Sequence, residues 1–406
     1  MYRWKSPSDS VRAPVARRRP PSPRLIALLA ALLLAGCSGA ALQKRPTPPA
    51  PSAQVAPEEE PKAVDVRDSR QTLTSLEAKD YLGDAACASC HQEAHRDHTG
   101  TRHSETLQKV TLETHGDAFR VGNTVRDKGR GLSYQTRVSD GKMLFSATDG
   151  KNQGELPADY AMGSGRNAIT FFTEVDPKAY MKHRTSFYTQ AKKWDFTPTL
   201  LETDPIQHPG GNIEAGAALE GCLLCHVTTL KKDLGKLNLA ASQLGVGCER
   251  CHGPGRPHVM RIQGLGKDPE IERLGEASPD RINKICGACH RTSENADLRK
   301  PQVQRNLPRF QGLALEKSAC YQKSNQLSCV TCHDPHKDSD PVLENSDRTC
   351  RSCHSSAPAQ VLCKVNTQSG CTSCHMPAQR ISSIPHVVYR NHWIKVWKDQ
   401  KPIPGH

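Results

Sequence analysis

The sequence predicts a mainly α chain with much irregular structure and one small antiparallel β insertion, organised around groups other than its own side chains. Three observations predict it. Of 406 residues only 36% are hydrophobic and 5% aromatic, with 29 Gly and 29 Pro, too little apolar material for the interior of a chain this long. Of 17 cysteines, fourteen fall in seven copies of one pattern, C-x-x-C-H. Between the first and second copies lies a long stretch in which apolar residues alternate with a period of two.

Residues 1–36 read as a secretory signal, with basic Arg17, Arg18, Arg19 and Arg24 ahead of an apolar run from Leu25 to Leu34. Spanning a bilayer takes about 20 apolar residues, so this shorter run is a signal h-region. Leu34-Ala35-Gly36-Cys37 resembles a bacterial lipobox, which makes Cys37 the lipidated first residue of the exported chain. The expected location is lipid-anchored, at the outer membrane of a Gram-negative bacterium, facing the periplasm or the exterior. Residues 37–78, with six prolines between Pro46 and Pro61 and the run Glu58-Glu59-Glu60, read as a disordered Pro-rich tether. The formal charge of +13 falls to +7 once the seven basic and one acidic residues of 1–36 are removed. No basic stripe interleaved with aromatics remains, and nucleic acid is not an expected partner.

Residues 79–406 carry the seven motifs: Cys87/Cys90/His91, Cys222/Cys225/His226, Cys248/Cys251/His252, Cys286/Cys289/His290, Cys329/Cys332/His333, Cys350/Cys353/His354 and Cys371/Cys374/His375. Two thiols one helical turn apart share a face, where each can add to a vinyl group of one porphyrin. The adjacent His then reaches the iron as its proximal ligand. A zinc ribbon needs paired C-x-x-C units and no His at that place. The reading is seven covalent c-type haems, about 47 residues each over 328 residues, with porphyrin supplying the missing core volume.

Eleven of the 18 His remain for the second axial position, enough to close all seven irons. His258 follows a Gly-Pro-Gly break and His336 follows Asp334-Pro335, so each is turned away from its own motif towards a neighbouring iron. His103, His386 and His392 come next, then His115, His183 and His208 in the long gap; His95, His98 and His406 are unassigned. The cysteines outside the motifs are Cys37, Cys320 and Cys363. In an oxidising compartment Cys320 and Cys363 are disulfide candidates, the alternative being a thiolate ligand or a reactive thiol.

In the gap, Leu132–Val138 and Lys142–Ala147 flank Asp140-Gly141, a two-residue hairpin signal, and Ile169–Val175 with Ala179–Tyr188 extend the pattern. The β-rich insertion is therefore placed at about 117–190. Gly163-Ser164-Gly165 reads as a tight turn, and Ser278-Pro279-Asp280 as a cap leading into a helix that carries the fourth motif.

Several segments together carry a family resemblance: Tyr81 to His91 with Gly-Thr-Arg-His103, Gly247 to Gly255, Ser318-Ala-Cys-Tyr ahead of Cys329 to His336, Cys371 to Pro377, and His386-Val-Val-Tyr-Arg-Asn-His392. They resemble the multihaem c-type cytochromes of the branch that includes the tetrahaem cytochrome of nitrifiers, hydroxylamine oxidoreductase and pentahaem nitrite reductase. The resemblance covers most of the chain after residue 80. It implies a multihaem cytochrome c fold organised around stacked haems and bis-His ligation through His103, His258, His336 and one or both of His386 and His392. It also implies electron transfer, and pairing of Cys320 with Cys363. The chain lacks the C-x-x-C-K motif of pentahaem nitrite reductases and has seven motifs where hydroxylamine oxidoreductases have eight haems.

The expected function is electron relay through seven haems between a quinol-linked donor and a terminal redox protein, a carrier more than an enzyme, with catalytic residues unassigned. Two alternatives differ in class. One is an oxidoreductase that reduces a small nitrogen or sulfur oxyanion at one open haem, placed by guess at haem 1 near Arg96 and Arg102. The other is a subunit of an extracellular haem filament.

Overall fold

The computed structural model describes residues 80–398, apart from 123, 177–178, 265–270, 325, 340–342, 356–362 and 364–368, together with 403. The signal, Cys37 and the tether, like His406, lie outside the described residues. Among the described residues no helix is long and apolar enough to cross a membrane.

The helices are short: α1 (Asp84–Ala88), α2 (Gln92–His98), α3 (Leu112–Arg120), α4 (Gly216–Leu223), α5 (Cys248–His252) and α6 (Arg256–Gly264). They continue with α7 (Pro279–His290), α8 (Pro301–Arg305), α9 (Gln311–Glu316), α10 (Ala319–Lys323), α11 (Leu343–His354) and α12 (Cys371–His375). The strands begin with β1 (Leu107–Lys109), β2 (Val125–Asp127), β3 (Leu132–Ser139), β4 (Lys142–Thr148), β5 (Gln153–Pro157), β6 (Tyr160–Met162) and β7 (Ala168–Asp176). They end with β8 (Ala179–Tyr188), β9 (Lys193–Phe196), β10 (Gly211–Ala215), β11 (Val227–Asp233), β12 (Lys236–Leu244), β13 (Ala378–Arg380) and β14 (Val388–Arg390).

This corrects the mainly α expectation. Of the described residues 33% are helix and 28% strand, a mixed α/β chain with a sizeable antiparallel region beside a helical part. Two physical reasons account for the difference. A C-x-x-C-H motif needs only about one turn of helix, and α5 and α12 are five residues long. Strand structure also reaches past the gap, because β11 and β12 form a hairpin between the second and third motifs. Leu234 and Gly235 turn that hairpin at φ 50° and 77°, the left-handed pair that a tight two-residue turn requires.

Strands β2-β3-β4-β5 form one antiparallel sheet, and β1-β6-β7-β8-β10 with β9 on β8 form a second. Asp140 and Gly141, at φ 50° and 73°, close the β3–β4 hairpin. Alternation on β4 sends Met143, Phe145 and Ala147 inward. There Phe119, Phe145, Phe171 and Trp194 meet one another with every pair of ring centres 5.1–5.6 Å apart, a contact range worth about 0.5–1.5 kcal/mol per pair beyond area burial. The other face of the second sheet, through Tyr160, Phe172 and Tyr180, packs on Leu219 and Leu223 of α4 and on Leu230, Leu237 and Leu239 of the β11–β12 hairpin. Strand β8 is thus buried on both sides, and α4, which leads into the second motif, is anchored in this apolar core.

Arg184 of β8 is fully buried against Asp127, with Nη2 3.1 Å from Oδ2, and Arg130 reaches the same oxygen at 3.0 Å. Removing one partner of such a buried pair costs about 3–5 kcal/mol. This pair helps pin β2 to β8.

Candidate haem centres

Each motif closes into a turn. His91 N–H donates to Cys87 O at 2.9 Å and His333 N–H to Cys329 O at 3.0 Å, which sets both thiols of a motif on one side of the turn. The helix α7 that ends in the fourth motif starts where the sequence places it, with Ser278 accepting from Arg281 N–H and Pro279 in the first turn. Beyond the β region lies one cavity of about 5290 Å³, several times the roughly 300–1,000 Å³ of a single small-molecule pocket. All fourteen motif cysteines and all seven motif histidines line it. A cavity of that size, walled by thiols in pairs and imidazoles, fits several porphyrins and leaves little protein interior where the haems would lie.

The imidazoles are oriented by their second nitrogen. His226 Nδ1 is 3.0 Å from Thr106 O, and His375 Nδ1 is 3.2 Å from Lys395 O. A ring that donates Nδ1–H to a carbonyl presents Nε2 to a metal.

Four motif histidines face a second histidine across the cavity. His91 and His258 have ring centres 6.5 Å apart, His103 and His290 6.2 Å, His252 and His336 6.2 Å, and His333 and His392 6.2 Å. Two imidazoles bound through nitrogen to one metal ion, at about 2 Å on each side, have ring centres roughly 6 Å apart. Burial pushes His103 and His392 down to about 4, and the facing imidazoles His290 and His333 add to the effect. Both are therefore neutral near pH 7, the form that ligates metal.

The structure places the other distal candidates elsewhere. His115 bonds Thr114 and packs edge-on against Phe171, and His183 bonds Thr173 and stacks on Phe145 at 3.8 Å. His208 Nδ1 accepts from Gly210 N–H. His386 holds Asp195 at 2.7 Å and sits edge-on to Tyr188. None of these four lines the cavity, whereas His103, His258, His336 and His392 all do. Haem 1, the guessed open site, is the one whose His91 faces His258. Cys320 and Cys363 both line the cavity, and no disulfide joins them in the structure.

Side chains outside the C-x-x-C-H pattern tie the motifs together in pairs. Asp84 accepts from Cys248 N–H at 2.8 Å, Asn283 from Cys329 N–H at 3.0 Å, and Asp347 from Cys371 N–H at 2.9 Å. Each sits three residues before the first cysteine of its own motif and caps the first cysteine of another. The thiols follow, with Cys87 in contact with Cys248, Cys286 with Cys329 and Cys350 with Cys371. Gly247 must be glycine, because a Cβ there would collide with the Asp84 carboxylate. Glu249, buried inside the third motif, accepts from Leu82 N–H at 2.9 Å, Gly83 N–H at 2.8 Å and Gly255 N–H at 2.7 Å. Arg250 donates to Leu224 O at 2.8 Å, and Cys225 meets Cys289. Sequence reasoning missed these residues. The signal was the recurrence of Asp or Asn at one offset before motifs one, four and six.

Residues 182–253, from β8 through the third motif, match the family described as cytochrome c554 and c-prime. The chain is similar to c-type cytochromes there. That span is less than a fifth of the chain. No curated protein sequence matches it. Among solved structures it is similar to the outer cell wall cytochrome OcwA, at 15% identity over 78% of this chain and 80% of that one, with a TM-score of 0.45. It is also similar to an undecahaem cytochrome from the S-layer of Carboxydothermus ferrireducens, at 16% identity over 78% of this chain and 52% of that one, with a TM-score of 0.40.

Proposed function

We propose that the protein is an exported multihaem c-type cytochrome that relays electrons through seven covalently held haems. The observation that carries this is the single cavity lined by all fourteen motif cysteines and all seven motif histidines. Bound haem supplies one-electron ferric–ferrous chemistry; the chain attaches it, fixes its axial ligands and sets its neighbours. His91/His258, His103/His290, His252/His336 and His333/His392 are the proposed axial pairs, each closing its iron to exchange with solvent. The contacts between motifs run from one to three, through Arg250 to two, and on to four and five, and six joins seven. Cys332 and Cys353, both on the cavity wall, are the proposed link between five and six. That succession is the proposed relay.

Lipid attachment at Cys37, placement at the cell surface, a Cys320–Cys363 disulfide and redox-protein partners at either end belong to the same reading. Intact mass of the mature protein and a pyridine haemochrome assay test it. Seven haems per chain and a lipidated N-terminal cysteine are expected; a chain without covalent haem would overturn it.

A further inference from the structure

We propose that residues 390–397 yoke two haem centres, setting an axial imidazole of the fifth motif and one of the seventh at the same time, and that Ser318 and the Lys395–tryptophan clamp are the positioning residues of that yoke. This rests on the haem-bearing reading above and adds to it a coupling between two centres. The segment leaves motif seven and returns to it. After His375 the chain forms the β13–β14 hairpin, and Asn391 N–H donates to Pro377 O at 3.1 Å. Lys395 then meets His375 twice: its N–H donates to His375 O at 3.3 Å, and its carbonyl lies 3.2 Å from His375 Nδ1. Between these anchors the chain turns His392 towards His333 of motif five, ring centres 6.2 Å apart, with His392 Nδ1 3.0 Å from Arg390 O. Carbonyls of one short stretch therefore orient both imidazoles, and neither can turn unless that stretch moves.

Two devices hold the stretch. Ser318, fully buried at the start of α10, donates through Oγ to His392 O at 3.0 Å and accepts from Ile394 N–H at 2.8 Å. It satisfies the backbone on both sides of Trp393, which a side chain without a hydroxyl would leave unpaired. The Lys395 ammonium lies 3.8 Å from the centre of the Trp393 ring and 4.1 Å from that of Trp397, in the corner made by two indoles 82° apart. Trp397 Nε1–H donates to Trp393 O at 3.2 Å, and the ammonium of Lys317, next to Ser318, lies 4.5 Å from the Trp393 ring centre. A cation drawn to aromatic faces needs no carboxylate to hold it, so the backbone at Lys395 is fixed, and with it the carbonyl on His375. Donating Nδ1–H to a carbonyl raises the basicity of the nitrogen that ligates metal, which favours the ferric state.

The test uses the haem-loaded protein, read by low-temperature EPR of the ferric state and by spectroelectrochemical titration. His392→Ala first assigns the motif-five signal as the low-spin signal that it removes. In Ser318→Ala and in Lys395→Met, that signal and one other should shift in g-value together. The same two centres should carry a ferrous share about fivefold higher at a fixed potential, the loss of one hydrogen bond. Lys395→Arg, which keeps a cation on the indoles, should restore the parent values. Trp397→Phe keeps a smaller aromatic face beside Lys395 and is read in the same way should Ser318→Ala fail to load haem.

A shift confined to one signal overturns the inference, because the two centres then move independently. Parent signals at parent haem content also overturn it, whatever the melting temperature does, since Ser318 and Lys395 are then structural contacts only. A shift of every signal does the same, because the change is then global. Each of these outcomes leaves the relay standing. A parent chain without covalent haem overturns the relay itself.

Discussion

Substituting Glu249 by Gln tests how one buried carboxylate positions His258, a proposed iron ligand 9 residues away in sequence. Glu249 is 1% exposed and gathers three backbone N–H groups, from Leu82, Gly83 and Gly255, at 2.7–2.9 Å. Leu82 and Gly83 lead into α1 and the first motif, while Gly255 precedes α6, which carries His258. One side chain therefore holds both halves of the His91/His258 pair. A hydrogen bond to a charged group is worth about 1.5–3 kcal/mol. Gln keeps one acceptor oxygen and turns an NH2 towards N–H donors, so about half of that set is lost and the net cost is about 3 kcal/mol. At ~2 °C per kcal/mol for a domain of this size, the apparent Tm of the holoprotein should fall by about 6 °C. The assay pairs thermal unfolding with EPR of the ferric state. One low-spin signal should shift in g-value while the other three matched pairs keep theirs. A Tm within about 1 °C of the parent, or equal shifts in every signal, would refute the reasoning, because Glu249 would then be a dispensable or merely global contact.

Three further perturbations follow from the same geometry. His336→Ala should open the iron of His252 and add one high-spin EPR signal, with haem content unchanged; an unaltered spectrum would remove His336 as that iron's ligand. Asn283→Ala removes an amide that accepts from Cys329 N–H and donates to Leu327 O, and should cost about 1–2 kcal/mol, measured by denaturant titration, with a shift confined to the haems of motifs four and five. Phe171→Ala, at the centre of the four-ring cluster, should cost about 3–5 kcal/mol and shift Trp194 fluorescence at lower denaturant, and a loss under 1 kcal/mol would count against that cluster as the β core.

The convergence of the seven C-x-x-C-H motifs on one cavity was anticipated because their chemistry is local: one turn of chain fixes two thiols and an imidazole, and no tertiary information is needed to see it. His258 and His336 were legible for a similar reason, since a Pro-induced turn points each away from its own motif. His386 and His392 show where this stops. Both sit in one segment, but Asp195, from β9, captures His386, while His392 turns towards His333. Only the fold brings Asp195 there. His115 and His183 were hidden likewise, because a ligand histidine and one that stacks on Phe145 read the same in one dimension. The mixed fold was missed at the β11–β12 hairpin, where Leu234-Gly235 lacks the Asn or Asp that usually announces such a turn. Leu234 is 98% exposed there, a cost accepted because the hairpin covers α4.

The offset three residues before the first cysteine sets the second motif apart from motifs one, four and six. In motifs one, four and six that position is Asp84, Asn283 and Asp347, and each reaches across to cap another motif. In the second motif it is Leu219, 1% exposed and packed with Tyr160, Phe172 and Tyr180. A polar side chain at that offset spends its hydrogen bond on a partner motif, so two motifs are fixed to each other. An apolar one fixes its motif to the sheet instead. The second motif is thus attached through α4 to the second sheet, Tyr180 of β8 included. Replacing Leu219 by Asp would bury an unpaired charge in that core without creating a fourth capped pair, because the motif's position is set by the sheet and not by the cap.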